Sequence, residues 1–288
     1  MVVTGAGGMV GRAVLEYCAS HGDIVFPYDH RTLDISDSDH VTQALTNDKP
    51  DVVINCAAWT DVDGCEFDKD RAFAANSRGP ENLAKASRET DASFITISTD
   101  YVFDGEKQGF YTQEDEPNPQ SIYGVSKLEG ELLAQAAYAR TIVVRTGFVF
   151  GPGGSNFLST IIERAQRGEK IKAIGDAYGT PTYAPALARR LRELAQQNLP
   201  GIFHVVNAGA GVSYAEFARA AMDLGGYTSM KVESVEVDSL NRPAPRPRNS
   251  RLRCLLSESL GLSPLPFWKD SLKDFVALDS RREAARKG

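Results

Sequence analysis

Over roughly the first two hundred residues the chain alternates short β-branched runs with longer stretches of helical period, and few folds accommodate that alternation. The strand-like runs are Val2–Thr4, Ile24–Tyr28, Val52–Asn55, Phe94–Ser98, Ile142–Arg145 and Ile202–Val206. The helical stretches are Gly11–Ser20, Ser38–Asn47, Arg71–Glu89, Tyr123–Ala137, Phe157–Arg167 and Pro185–Gln197. Several strands are apolar at consecutive positions, so they need cover on both faces. An α/β fold follows: a doubly wound, parallel, Rossmann-like sheet with crossover helices. Ser36, Asp37 and Asn156 stand where helix N-caps belong.

After Asn207 the pattern changes to a helix at Tyr214–Leu224, a strand-like Val232–Val237, a Pro- and Arg-rich stretch Asn241–Arg253 and a helix near Lys269–Ala277. This implies a dinucleotide-binding domain over 1–150, rejoined by the chain at about 176–207. A smaller C-terminal substrate-binding lobe takes 151–175 and 208–288. With a net charge of −6 and Lys and Arg interleaved with acids, the chain offers no footprint for nucleic acid. Its longest apolar runs fall far short of the ~20 residues a membrane helix needs, and no leader pattern precedes the first motif. A cytoplasmic protein is therefore expected, with Cys18, Cys56, Cys65 and Cys254, which lack any Cys-x-x-Cys spacing, as buried, reduced thiols. No metal site is expected.

Thr4-Gly5-Ala6-Gly7-Gly8-Met9-Val10-Gly11 follows a strand and opens a helix. In that position small residues let the backbone approach a pyrophosphate, whose charge the helix N-terminus then meets. Asp29 ends the second strand about where a carboxylate takes adenosine ribose hydroxyls, which favours NAD. Arg31, two residues on, could pair with a 2′-phosphate, which favours NADP, and the intervening His30 shares the loop. NADPH and NADH both stay open, as does a merely solvated Asp-His-Arg turn.

Tyr123 and Lys127 lie four apart at the start of a helical stretch and so share a face. An ammonium beside a phenol lowers the phenol pKa toward neutrality, which suits proton transfer in carbonyl reduction. Thr99 falls at the C-terminal edge of a strand, where open α/β sheets place ligands, and its hydroxyl can bond a substrate carbonyl.

With Asn55-Cys56-Ala57-Ala58, these features make the chain resemble the extended short-chain dehydrogenase/reductases. Within them it is similar to the dTDP-4-dehydrorhamnose reductase family. The resemblance rests on Ser98–Gly105, Tyr123–Glu131, Arg145-Thr146, Gly175–Thr182 and Arg246–Leu252, blocks that with the glycine turn span residues 4 to 252. It implies NAD(P)H-dependent reduction of the C4 ketone of a nucleotide-linked 4-keto-6-deoxy sugar, with Thr99, Tyr123 and Lys127 catalytic. It further implies that Gly8, Met9 and Val10 wrap the pyrophosphate, that Asp29, Asp34 and Ile35 hold the adenosine end, and that Ala57, Ala58 and Thr60 line the nicotinamide side. Asp100, Tyr101, Phe148, Asn156 and Arg246 are the remaining candidates for the nucleotide-sugar substrate. A homodimer is left open.

Phe148 stands where the family can carry Trp, so an N–H donor is lost at the sugar. In 4,6-dehydratases an acid pair follows the catalytic Thr; here Asp100 is followed by Tyr101, which disfavours dehydration. Two rivals remain: an epimerase, and a nucleotide-binding regulatory subunit like the methionine adenosyltransferase β subunit.

Overall fold

The computed structural model describes residues 1–287, with side chains through residue 278. The first part of the chain forms β1 (Val2–Thr4), α1 (Met9–Ser20), β2 (Phe26–Tyr28), α2 (Ser38–Asp48), β3 (Val52–Asn55), α3 (Val62–Phe67), α4 (Lys69–Phe73) and α5 (Gly79–Glu89). There follow β4 (Ser93–Thr99), α6 (Ile122–Ala137), β5 (Thr141–Thr146), β6 (Val149–Phe150), α7 (Phe157–Gln166), β7 (Ile171–Ile174), β8 (Tyr178–Gly179), β9 (Thr182–Tyr183) and α8 (Ala184–Gln197). The chain ends with β10 (Gly201–His204), β11 (Asn207–Ala208), β12 (Val212–Ser213), α9 (Tyr214–Leu224), β13 (Val232–Val235), α10 (Leu255–Ser259), β14 (Leu265–Phe267) and α11 (Trp268–Lys287).

Six strands form one parallel sheet in the order β2-β1-β3-β4-β5-β10. All six residues of β5 are buried, as a central parallel strand covered on both faces must be. On one face α1 and α8 bury Val14, Leu187 and Leu191 against Ile142 and Val144. On the other, α2, α5 and α6 bury Val41, Leu45 and Leu83 against Val53 and Phe94. A further core lies beyond the sheet, where α7, α9 and α11 gather Leu158, Phe217, Trp268 and Leu272 around Phe150. There β7 pairs in parallel with β13, and β8 runs antiparallel to β12. Phe157 packs against this core only partly buried.

Several boundaries differ from the sequence reading. The second strand begins at Phe26, not Ile24: it is an edge strand that tolerates Pro27, and Ile24 is 77% exposed. The strand read as Ile202–Val206 stops at His204, because Asn207 and Ala208 leave the sheet to pair with β14. α1 starts two residues early, at Met9. The helix read as Arg71–Glu89 is divided, with α4 ending at Phe73 and a π-helical turn over Ala74–Arg78 preceding α5. Pro80, which lacks the N–H a regular helix requires, is the sequence signal for that break.

Candidate active site

The sheet order reverses between β1 and β3, the position at which doubly wound sheets open a ligand crevice. Gly5, at φ +65°, forms its floor: a Cβ there would lie 2.6 Å from the Ala57 nitrogen and from the Cys56 carbonyl carbon. A Cβ on Gly11 would lie 2.2 Å from the Gly5 carbonyl oxygen. Both positions must therefore be glycine. The Gly8 N–H donates to the Gly5 carbonyl at 2.9 Å and Gly8 caps α1, whose first turn faces the crevice with unpaired N–H groups. A buried chain of bonds laces the strand ends: Thr4 Oγ1 donates to Asn55 Oδ1 at 2.6 Å, and Asn55 Nδ2 donates to Thr96 Oγ1 at 3.0 Å. The Ala57 N–H donates to Asn55 Oδ1 at 3.1 Å.

From this floor a cleft of about 540 Å³ extends between Gly5, Gly7 and Gly8 and the loop carrying Asp29, His30, Arg31, Asp34 and Ile35. Asp29 Oδ1 accepts the Arg31 and Thr32 N–H groups, and Asp34 Oδ1 accepts both the N–H and the hydroxyl of Ser36. The backbone N–H groups of Arg31 and Thr32 hold the Asp29 carboxyl below the usual range, and the Ser36 hydroxyl and N–H do the same for Asp34. Among the described residues the second oxygen of each has no protein donor, so both present an acceptor to a ribose or an adenine. Trp59 closes the cleft with the Arg71 guanidinium 4.5 Å over its ring. Bare backbone at the floor, a helix N-terminus and two free carboxylate oxygens fit a dinucleotide.

A second cleft, of about 490 Å³, shares Gly8, Ala57 and Ala58 with the first. It is lined by Met9, Val10, Gly11, Thr60, Thr99, Asp100, Tyr101, Tyr123, Lys127 and Phe148. β4 delivers Thr99 at its last residue; α6, capped by Ser121 Oγ accepting the Gly124 N–H, delivers Tyr123 and Lys127 one turn apart. Lys127 is 4% exposed and its Nζ donates to the Ile97 carbonyl at 2.7 Å. Burial brings its pKa down to about 8, with the Glu131 carboxylate opposing that fall. The expected lowering of the Tyr123 phenol is not found. Burial pushes it well up, and the hydrogen bond with Thr99 only partly offsets this. Behind Lys127, Glu131 and Arg145 form a buried bidentate pair at 2.7 to 3.1 Å.

Tyr101 and Tyr214 form a wall common to this cleft and a third cavity of about 510 Å³. Arg164, Lys172, Arg242 and Arg246 line that cavity. Arg246 is held by Asp63 Oδ2 at 2.9 Å and by the Ala244 carbonyl at 2.8 Å. Its neighbours do other work: Arg248 is paired with Asp176 and Asp238, and Arg251 packs over Phe110 and Tyr178. Asn156 takes the N-cap position expected for it. Its Oδ1 accepts the Leu158 and Ser159 N–H groups to cap α7, and its Nδ2 donates to the Gly151 and Gly154 carbonyls.

The family model for the RmlD substrate binding domain matches residues 1–280. A dTDP-4-dehydrorhamnose reductase from Mycolicibacterium smegmatis is 41% identical over 280 residues, covering 96% of this chain and 85% of that one. The chain belongs to the dTDP-4-dehydrorhamnose reductase family. A crystal structure of such a reductase from Clostridium acetobutylicum superposes with a TM-score of 0.93 at 38% identity, covering 97% of this chain and 99% of that one. One from Bacillus anthracis, in complex with NADP, gives 0.92 at 32% identity over 95% and 97%.

Within this dTDP-4-dehydrorhamnose reductase family chain, sequence reading missed Asn76, Tyr214, Ser250, Arg164 and Lys172. Asn76 sits in the π-turn, and Pro80 is its one local signal. The other four come from segments that only the tertiary fold brings to Tyr101.

Proposed function

We propose that the chain reduces the C4 ketone of a nucleotide-linked 4-keto-6-deoxy sugar, dTDP-4-dehydro-L-rhamnose, to give dTDP-L-rhamnose, with NADPH or NADH as reductant. One observation carries this reading. The cleft holding Thr99, Tyr123 and Lys127 opens at one end onto the glycine-floored groove and at the other, past Tyr101 and Tyr214, onto a cavity bearing four cations. A ketone placed there lies between a site for a dinucleotide and a site for a diphosphate. The names of the relatives and the NADP complex of the Bacillus anthracis structure support it.

When bound, the dihydronicotinamide supplies the hydride to sugar C4. Tyr123 gives its proton to the developing C4 oxyanion, Thr99 donates to the same oxygen, and the Lys127 ammonium offsets the phenolate charge left behind. Gly8, Met9 and Val10 bring backbone and the α1 N-terminus to the pyrophosphate, while Asp29 and Asp34 accept from the adenosine. The lobe formed by 151–175 and 208–288 holds the nucleotide, with Arg246 at its phosphates and Phe148 against the sugar. Tyr101, in place of a second carboxylate, leaves no acid pair for eliminating the C6 hydroxyl. Four free cysteines suit the cytoplasm, the reducing compartment we assign.

The decisive experiment follows NADH and NADPH absorbance separately with dTDP-4-dehydro-L-rhamnose. Turnover with loss of a C4 ketone is expected, and Tyr123→Phe should lower kcat by roughly 10²–10⁴ while leaving cofactor Kd unchanged. Folded, cofactor-bound protein that oxidises neither would favour a regulatory subunit instead.

A further inference from the structure

Asp100 is a buried carboxyl, 4% exposed, which the reduction as written does not use. Thr99 Oγ1 lies 3.1 Å from Asp100 Oδ1, and because a carboxylate only accepts, the single Thr99 hydroxyl proton points at Asp100. The Thr99 oxygen accepts the Tyr101 N–H at 3.1 Å. With Asp100 ionised, the Thr99 proton is committed to the carboxylate and points away from a ketone. The seat is built: Ser250 bonds the carboxyl, and a Cβ on Gly147 would lie 2.2 Å from its Cγ.

We propose that Asp100 is a positioning residue for the reduction, whose neutral carboxyl donates to Thr99 and thereby turns the Thr99 proton toward the sugar C4 oxygen, whereas its carboxylate holds that proton back. No bond to carbon changes in this step: the Asp100 proton moves into the hydrogen bond with Thr99, and the Thr99 hydroxyl rotates to a new acceptor. The inference rests on the roles given to Thr99 and Tyr123 above.

Burial brings the Asp100 carboxyl up to about 6 against the Ser250 and Thr99 bonds that favour its charge. The groups around it are the phenols of Tyr101, Tyr123 of α6 and Tyr214 of α9, and Arg246, whose charge acts on Tyr101 and Tyr214. Among the described residues no Lys or Arg donates to Asp100. The reductase should therefore lose kcat/KM as pH rises through about 6, apart from any step near 8 that belongs to Lys127.

The test is the pH profile of kcat/KM for dTDP-4-dehydro-L-rhamnose in the full chain and in three variants. Asp100→Asn should abolish the step near 6 and keep the one near 8. Ser250→Ala removes a bond to the carboxylate and should move the first step to higher pH; it carries the test alone if Asp100→Asn fails to fold by circular dichroism. Thr99→Val should lose the step along with roughly 10²-fold or more in kcat. A wild-type step in Asp100→Asn, or an unmoved one in Ser250→Ala, overturns the proposal. Wild-type kcat in Thr99→Val would overturn instead the reading of the site on which it rests.

Discussion

Asn76 holds Trp59 by both of its backbone groups, accepting the Trp59 N–H at 2.9 Å and donating to the Trp59 carbonyl at 3.0 Å. Its Nδ2 also donates to Ser126 Oγ at 3.1 Å, and Ser126 Oγ in turn donates to the Tyr123 carbonyl at 2.9 Å. The π-turn that presents Asn76 thus ties the loop carrying Ala57, Ala58 and Thr60 to the helix carrying Tyr123 and Lys127. A regular helix would rotate the side chain off this line, a common reason for π-turns at functional sites.

Asn76→Ala should weaken NADPH binding and lower kcat together, because loop and helix lose their common support. The stranded Trp59 groups should also cost roughly 1–3 kcal/mol of stability. Fluorescence titration of NADPH with chemical denaturation checks both, and an unchanged Kd would sink the account.

The Arg145–Glu131 pair is almost wholly enclosed, with side chains 4% and 2% exposed. Arg145→Met should destabilise by about 3–5 kcal/mol, since it leaves a carboxylate buried without its partner, and adding Glu131→Gln should recover much of that loss. Glu131→Gln also removes the charge that opposes desolvation of Lys127, so the Lys127 pKa should fall below about 8. Any activity step owed to Lys127 then moves to lower pH. A double variant no more stable than Arg145→Met would show that the cost lies in packing.

Arg31 stands exposed on the rim of the adenosine-side cleft while Asp29, in the same loop, keeps its charge. Attraction and repulsion of a 2′-phosphate should nearly offset, so both cofactors should work. Arg31→Ala should weaken NADPH selectively by ~1–3 kcal/mol. Equal loss for NADH would place Arg31 elsewhere than the 2′ position.

Phe148 packs against Tyr214 with ring centroids 4.1 Å apart and against Phe217 at 4.9 Å, yet it also lines the catalytic cleft. Phe148→Ala should lower Tm, by about 2–3 kcal/mol of stability given partial burial, and raise KM for the sugar nucleotide. NADPH affinity should stay as it was. Loss of cofactor affinity with sugar KM spared would put the ring on the wrong side of the site.

The half of the molecule built from sheet and crossover helices was readable because its signals are local. A glycine turn after the short strand Val2–Thr4 places Gly5 and Gly11, and seven strand residues ending in Thr99 place a hydroxyl at a sheet edge. The other half hides its order. Two-residue strands such as β8 and β12 have no period to detect, and Tyr214, Ser250 and Lys172 meet only when α9, the Asn241–Arg253 strap and β7 are packed. Asn156 was legible as a cap and as a ligand alike, and its bonds in the structure are those of the cap. The ionisation of Tyr123 is hidden for a similar reason, since helical spacing puts Lys127 on its face without showing how deeply the phenol is buried.

Because the crevice floor at Gly5 and Gly11 is main chain pressed against main chain, it carries no side chain through which selection or engineering could alter cofactor choice. Adaptation between the two nicotinamide cofactors falls instead to the loop side chains on the cleft's rim, Asp29, His30 and Arg31. The same architecture that makes the floor intolerant of change leaves the rim evolvable at little cost to folding.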